Sequence, residues 1–154
     1  MEINDLISSK EVVANLKATS KKQVLKELAR RVAEASGLHE RAIFDTLMER
    51  ERLGTTGVGN GIAIPHGKLA DLERLHGFFA RLETPVDFQA IDERPVDLIF
   101  LLLAPESAGA DHLKALAKVS RALRNDATCE KLRGTDTSEA LYAILTGSVE
   151  NQAA

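Results

Sequence analysis

One cysteine in 154 residues, Cys129, leaves no partner for an internal disulfide and fits a reducing compartment. No apolar run approaches the ~20 residues of a spanning helix; the longest, residues 98–104, has the length of a strand. Strong charge of either sign is missing too. Twenty basic against 23 acidic residues give a formal net charge of −3, which supplies no footprint for nucleic acid or an anionic membrane. The opening MEINDLISSKE has neither a basic start nor an apolar segment behind it, so no secretory signal is expected. Also missing are an HxxxH pair, clustered Cys and His, a GxSxG elbow and the lysine spacing of a P-loop. A metal on His66 and His112 would need a third ligand that the pattern does not offer, so neither metal nor cofactor is expected.

What remains is an ordinary globular composition, 44% hydrophobic and 28% charged, at a length that suits one domain. Residues 12–16 read as a strand. Ser20-Lys21-Lys22-Gln23 is a capping-box pattern, and Val24, Leu25, Leu28, Val32 and Ala33 then recur with helical period up to Gly37, a C′ residue. A second helix carries Ile43, Phe44, Leu47 and Met48, with Arg50, Glu51 and Arg52 in its last turn; cations there complement the helix dipole. Residues 54–61 read as a loop, 61–66 and 77–83 as strands, and 85–89 as a turn. The apolar residues 96–104 predict a central strand covered on both faces. After a loop over 105–110, Asp111 reads as the N-cap of a helix with Leu113, Leu116, Ala117, Ser120 and Leu123 on one stripe. Short helices over 129–133 and 138–145 follow. The expected fold is α/β: a mixed parallel/antiparallel sheet of about five strands with helices on both faces. One domain is expected over 1–147 and a frayed polar tail over 148–154.

The segment GTTGVGNGIAIPHGK, residues 54–68, concentrates the chemistry. Its glycines faintly suggest a dinucleotide fingerprint, but that motif follows a strand and opens a helix, and here the order is reversed. The glycines either serve turns with positive φ, or leave amides that cradle an anion together with the Thr55 and Thr56 hydroxyls. Pro65 stops the strand and His66 follows at once, which places an imidazole at a sheet rim with Gly67 leaving room beside it. Imidazole is nucleophilic near neutral pH without special activation. A satisfied structural histidine is the plain alternative. His112 stands in a first helical turn beside Asp111, where the dipole favours a neutral ring that can donate to a phosphoryl oxygen; an ordinary helix-start residue is its alternative. His39 and His76 sit among charged residues and receive no role.

The run Arg50-Glu51-Arg52, Thr55-Thr56-Gly57 and Gly61-Ile62-Ala63-Ile64-Pro65-His66-Gly67 resembles the IIA component of the bacterial phosphoenolpyruvate-dependent phosphotransferase system, fructose/mannitol class. Its form at 59–68 resembles the nitrogen-regulatory branch more than the sugar-transporting one. The likeness extends over Leu82-Glu83-Thr84-Pro85-Val86 and the Asp111-His112-Leu113 helix start. Arg52 departs from the pattern, where lysine is frequent, but keeps the charge. The resemblance implies a phosphoryl carrier in which His66 takes a phosphoryl group from a histidine-containing phosphocarrier protein. It also implies that His112 lies beside His66 and helps hold the group, with Arg50 near the pocket.

Phosphoryl transfer asks for in-line geometry and for donors around three equatorial oxygens, which the loop amides, the Thr56 hydroxyl, His112 and Arg50 are expected to supply. A protein donor requires His66 to be accessible and ringed by apolar residues. The expected output is cytoplasmic regulation of nitrogen/potassium type, in which the phosphorylation state controls binding to regulated protein targets. A sugar-specific relay passing phosphate to a separate IIB protein is the alternative, and a metal-dependent hydrolase a third.

Overall fold

Ten residues of β6 (Val96–Pro105), all buried except Asp97, form the axis of the sheet. The computed structural model describes residues 1–147, so the tail expected over 148–154 lies outside the described residues. On one side of β6 runs β5 (His76–Val86), antiparallel, with β1 (Val12–Leu16) parallel to β5 beyond it. On the other side β3 (Ile62–Ala63) and β4 (His66–Leu69) both run parallel to β6, and β2 (Gly57–Gly59) pairs antiparallel with β3. The sheet is mixed, as its sequence predicts, with six strands among the described residues.

Period-2 alternation along β6 feeds two separate cores. Ile99, Leu101 and Leu103 face α1 (Lys21–Ser36) and α2 (Glu40–Leu53). Leu98, Phe100 and Leu102 face α3 (Ala110–Leu123), α4 (Asp126–Arg133) and α5 (Ser138–Leu145). Helices therefore cover both faces. α1 ends on Gly37, whose φ of 77° is the left-handed conformation expected of a C′ glycine. At its start the Ser20 side chain accepts from the Gln23 amide, as a capping box requires, but Gln23 returns to Thr19 instead of Ser20. Its Oε1 accepts from the Thr19 amide and hydroxyl at 2.8 and 2.7 Å.

Several expected boundaries move. β5 continues through Pro85 to Val86, because the pairing with β6 is irregular between Arg81 and Val86 and the missing proline N–H breaks no regular ladder bond. α4 starts at Asp126, capped by Asn125. α3 starts at Ala110 with Gly109 as N-cap, and Asp111 falls inside the first turn. Its buried face is His112, Ala115, Val119 and Leu123, while Leu113 is 70% exposed. The expected stripe was rotated by one position, because a hydrophobic pattern counts histidine as polar and turns it outward.

Candidate functional site

The glycine-rich segment folds as a hairpin followed by an interrupted strand. Asn60 and Gly61, with φ of 57° and 79°, connect β2 to β3 as an Asn-Gly turn of the type whose twist suits a two-residue hairpin. The expected loop over 54–61 is thus partly strand, and several of its amides have internal partners. Thr56 N–H donates to Glu51, Gly57 N–H to Thr55 Oγ1 and Asn60 N–H to Asp92.

The strand expected over 61–66 divides at Ile64 and Pro65, yet the register survives. Ala63 opposes Ile99 in one segment and His66 opposes Leu102 in the next. His66 therefore opens β4, a segment with β6 on one side and, among the described residues, no strand on the other. α2 and α3, from opposite faces of the sheet, both reach its imidazole. Gly67 makes the approach of α2 possible, since a Cβ there would lie 2.5 Å from Thr46 Cγ2. One turn beyond Thr46, Arg50 donates from Nε to His66 Nε2 at 3.3 Å and from Nη1 to the Gly54 carbonyl oxygen at 2.8 Å.

The other ring nitrogen lies 2.8 Å from the Ile64 carbonyl oxygen. A carbonyl only accepts and a guanidinium only donates, so both neighbours assign one tautomer: Nδ1 carries the proton and Nε2 the lone pair. From the other face, the His112 ring stands edge-on to His66, with centroids 5.7 Å apart and planes inclined by 69°. His112 is 7% exposed, and its Nε2 is buried with no hydrogen-bond partner among the described residues. A buried ring nitrogen left without a protein partner carries a desolvation cost.

Both histidines are held below the ordinary pKa of the side chain. For His66 the main cause is burial, with the Ile64 bond opposing it, Arg50 adding to it and Glu51 again opposing. For His112 burial leads, followed by the charges of His66 and Lys68. The sequence had pointed to the helix dipole for this effect, and removal from water is the larger cause. Both rings therefore favour the uncharged form at neutral pH.

The structure brings His66, Arg50 and His112 together. Thr56 is buried and spends its hydroxyl proton on Glu51 Oε2 at 2.7 Å, which leaves none for an incoming oxygen. Glu51 was named in the sequence only as part of the Arg50-Glu51-Arg52 run and was given no role. It is 8% exposed and bonded to Thr56 and to Lys21 of α1. A signal was there to find, because a carboxylate in the last turn of a helix opposes the dipole and needs a specific partner to stay. Among the described residues no group of three His, Cys, Asp or Glu side chains is placed to hold a metal ion.

Residues 5–148 match the family model for EIIA 2 of the phosphoenolpyruvate-dependent sugar phosphotransferase system. The chain belongs to this family. A nitrogen regulatory protein of Bradyrhizobium diazoefficiens is 54% identical over 145 residues, covering 94% of this chain and 95% of the relative. The crystal structure of the nitrogen regulatory protein IIA-Ntr from Neisseria meningitidis superposes with a TM-score of 0.88 at 37% identity. It covers 94% of this chain and 99% of that one. The mannitol IIA of Escherichia coli shares the fold, with a TM-score of 0.77 at 18% identity over 90% of this chain and 98% of its own. The EIIA 2 likeness, and within it the nitrogen-regulatory form, agrees with the motif at 59–68. Among the described residues no helix is long and apolar enough to cross a membrane.

Proposed function

We propose that His66 accepts a phosphoryl group at Nε2 from a histidine-containing phosphocarrier protein, and that this phosphorylation state governs binding to regulated protein targets. The observation that carries the reading is the fixed tautomer of His66, its Nε2 lone pair held by Arg50, beside the Nε2 of His112 that has no partner among the described residues. In the transfer the P–N bond of the donor's phosphohistidine breaks, its electron pair stays on the donor's ring, and a new P–N bond forms to His66 Nε2. Positive character grows on the His66 ring as its lone pair is used, and the Ile64 carbonyl, already on Nδ1–H, stabilises it without reorganising. Arg50 moves its Nε–H from the lone pair to a phosphoryl oxygen, and His112 Nε2–H donates to another.

A protein donor needs a surface on which to dock. Leu53, one turn past Arg50, is 81% exposed and Leu113, next to His112, is 70% exposed, so apolar side chains adjoin the site on both helices. His66 itself is half-buried, less open than a rim histidine. A phosphoryl group here brings close to two negative charges onto that apolar rim, enough to strengthen or break a protein contact. The names of the relatives support nitrogen regulation as the output, and the single cysteine, buried and free, suits the cytoplasm.

The test is incubation with phosphoenolpyruvate and the general phosphotransferase components, followed by mass spectrometry. An acid-labile, base-stable gain of one phosphate on residue 66 is expected, and none in His66→Ala. Label on another residue would overturn the assignment. Loss of label to a IIB protein would shift the reading to a sugar-specific relay.

A further inference from the structure

We infer that Glu51 is a positioning residue for Arg50: its carboxylate closes the turn over residues 51–56 so that the guanidinium is aimed at Nε2 of His66. The inference rests on the phosphoryl-acceptor reading of His66 and adds a residue to it. Glu51 Oε1 accepts from Lys21 Nζ at 3.0 Å and from the Thr56 amide at 2.8 Å, and Oε2 accepts from the Thr56 hydroxyl at 2.7 Å. One side chain thus ties the end of α2 to the start of the hairpin and to α1. Lys21 is steadied in turn above the Phe88 ring, 5.2 Å from its centroid.

Within that closed turn lies Gly54. Its carbonyl oxygen holds Arg50 Nη1 and its amide returns to the Glu51 carbonyl at 3.2 Å. The guanidinium therefore stands between two fixed acceptors, Gly54 O and His66 Nε2, and the first is fixed only while the turn is. A buried carboxylate at a helix C-terminus is an unfavourable choice for stability alone, since an apolar group in such a place is often neutral or better. Two of its three bonds close the turn that holds Arg50, and the third anchors that turn to α1.

The test combines Glu51→Gln with Arg50→Ala in a double-mutant cycle, read by the rate of His66 phosphorylation and by solvent exchange of the Arg50 Nε–H in the unphosphorylated protein. Glu51→Gln is expected to slow phosphorylation on the order of tenfold or more, as loss of orientation does. It should also accelerate Nε–H exchange, and change the rate by less than about twofold once Arg50 is alanine. Equal slowing in both backgrounds, or unaltered exchange, overturns the inference. Should Glu51→Gln fail to fold, Thr56→Val removes only the hydroxyl bond and is expected to act in the same direction, more weakly, with the same dependence on Arg50. If wild-type protein takes no phosphate at all, the functional reading falls, and the exchange measurement still decides whether Glu51 positions Arg50.

Discussion

The imidazole of His66 turns back to the carbonyl oxygen of Ile64, 2.8 Å away, across Pro65. Proline has no N–H to give the ladder, so the strand breaks there and the preceding carbonyl is available to a side chain. Each residue of the Pro-His-Gly motif thus has its own physical task. Pro65 interrupts the strand, His66 supplies a lone pair of fixed position, and Gly67 admits α2 and with it Arg50.

The lowered pKa values of His66 and His112 make a stability prediction with a definite sign. Each ring is held below the ordinary value of about 6.5, so the unfolded chain takes up protons first as pH falls. Their contribution is whole above about pH 6.5 and is lost as pH falls from there through the folded values. Thermal unfolding followed from about pH 7 downward should show a midpoint that declines in the wild type. It should decline less steeply in the double variant His66→Gln, His112→Gln. Parallel curves would show that the two rings are not the groups responsible.

The role proposed for His112 sets stability against activity. Because its buried Nε2 has no partner among the described residues, replacement by Phe removes an unsatisfied polar atom and keeps a planar ring. The unphosphorylated protein is expected to gain about 1 kcal/mol, within the range for such groups. Loss of one preorganised donor should meanwhile slow phosphorylation by roughly a hundredfold. Denaturant melts and phosphorylation time courses on one preparation check both halves. A less stable but fully active variant would remove His112 from the chemistry.

How far the sequence could be read depended on which interaction fixes each part. β6 was legible because nine of its residues are buried and almost all of them are apolar. His66 and His112 were legible as residue types in suggestive places, and the fold does set them edge to edge. The α3 face was not, because His112 takes a core-facing position where the hydrophobic pattern favours Leu113. Nor was the hairpin, where Asn60-Gly61 sits among so many glycines that the turn signal reads as loop. Thr56 and Glu51 are joined across five residues by a buried carboxylate, a contact that no periodicity carries.

Arg50 lowers the pKa of His66 and also occupies its lone pair, so its removal has two measurable effects. In Arg50→Ala the His66 pKa should rise from its wild-type value, seen in a titration of the ring resonances. Phosphorylation should slow on the order of a hundredfold, since a charge-assisted donor to the transferring group is gone. Arg50→Lys should recover little, because a single ammonium cannot reproduce a fork that spans Gly54 O and His66 Nε2. Full activity in the lysine variant would mean that charge alone suffices.

Gly67→Ala tests whether helix approach, and not chain flexibility, is what the motif's glycine provides. The new Cβ would meet Thr46 Cγ2 at 2.5 Å, too close to be absorbed without moving α2 or rotating Thr46. Overpacking of this kind costs about 1–3 kcal/mol, and the same displacement carries Arg50, one turn further along α2, away from Nε2. Both stability and phosphorylation rate should therefore fall. Thr46→Ser removes the obstructing methyl, so the double variant Gly67→Ala, Thr46→Ser should recover much of each. A glycine needed only for backbone freedom would respond differently: its alanine variant would be just as impaired with serine at position 46. The non-additive recovery is the outcome that ties the close contact of α2 and β4 to the chemistry at His66.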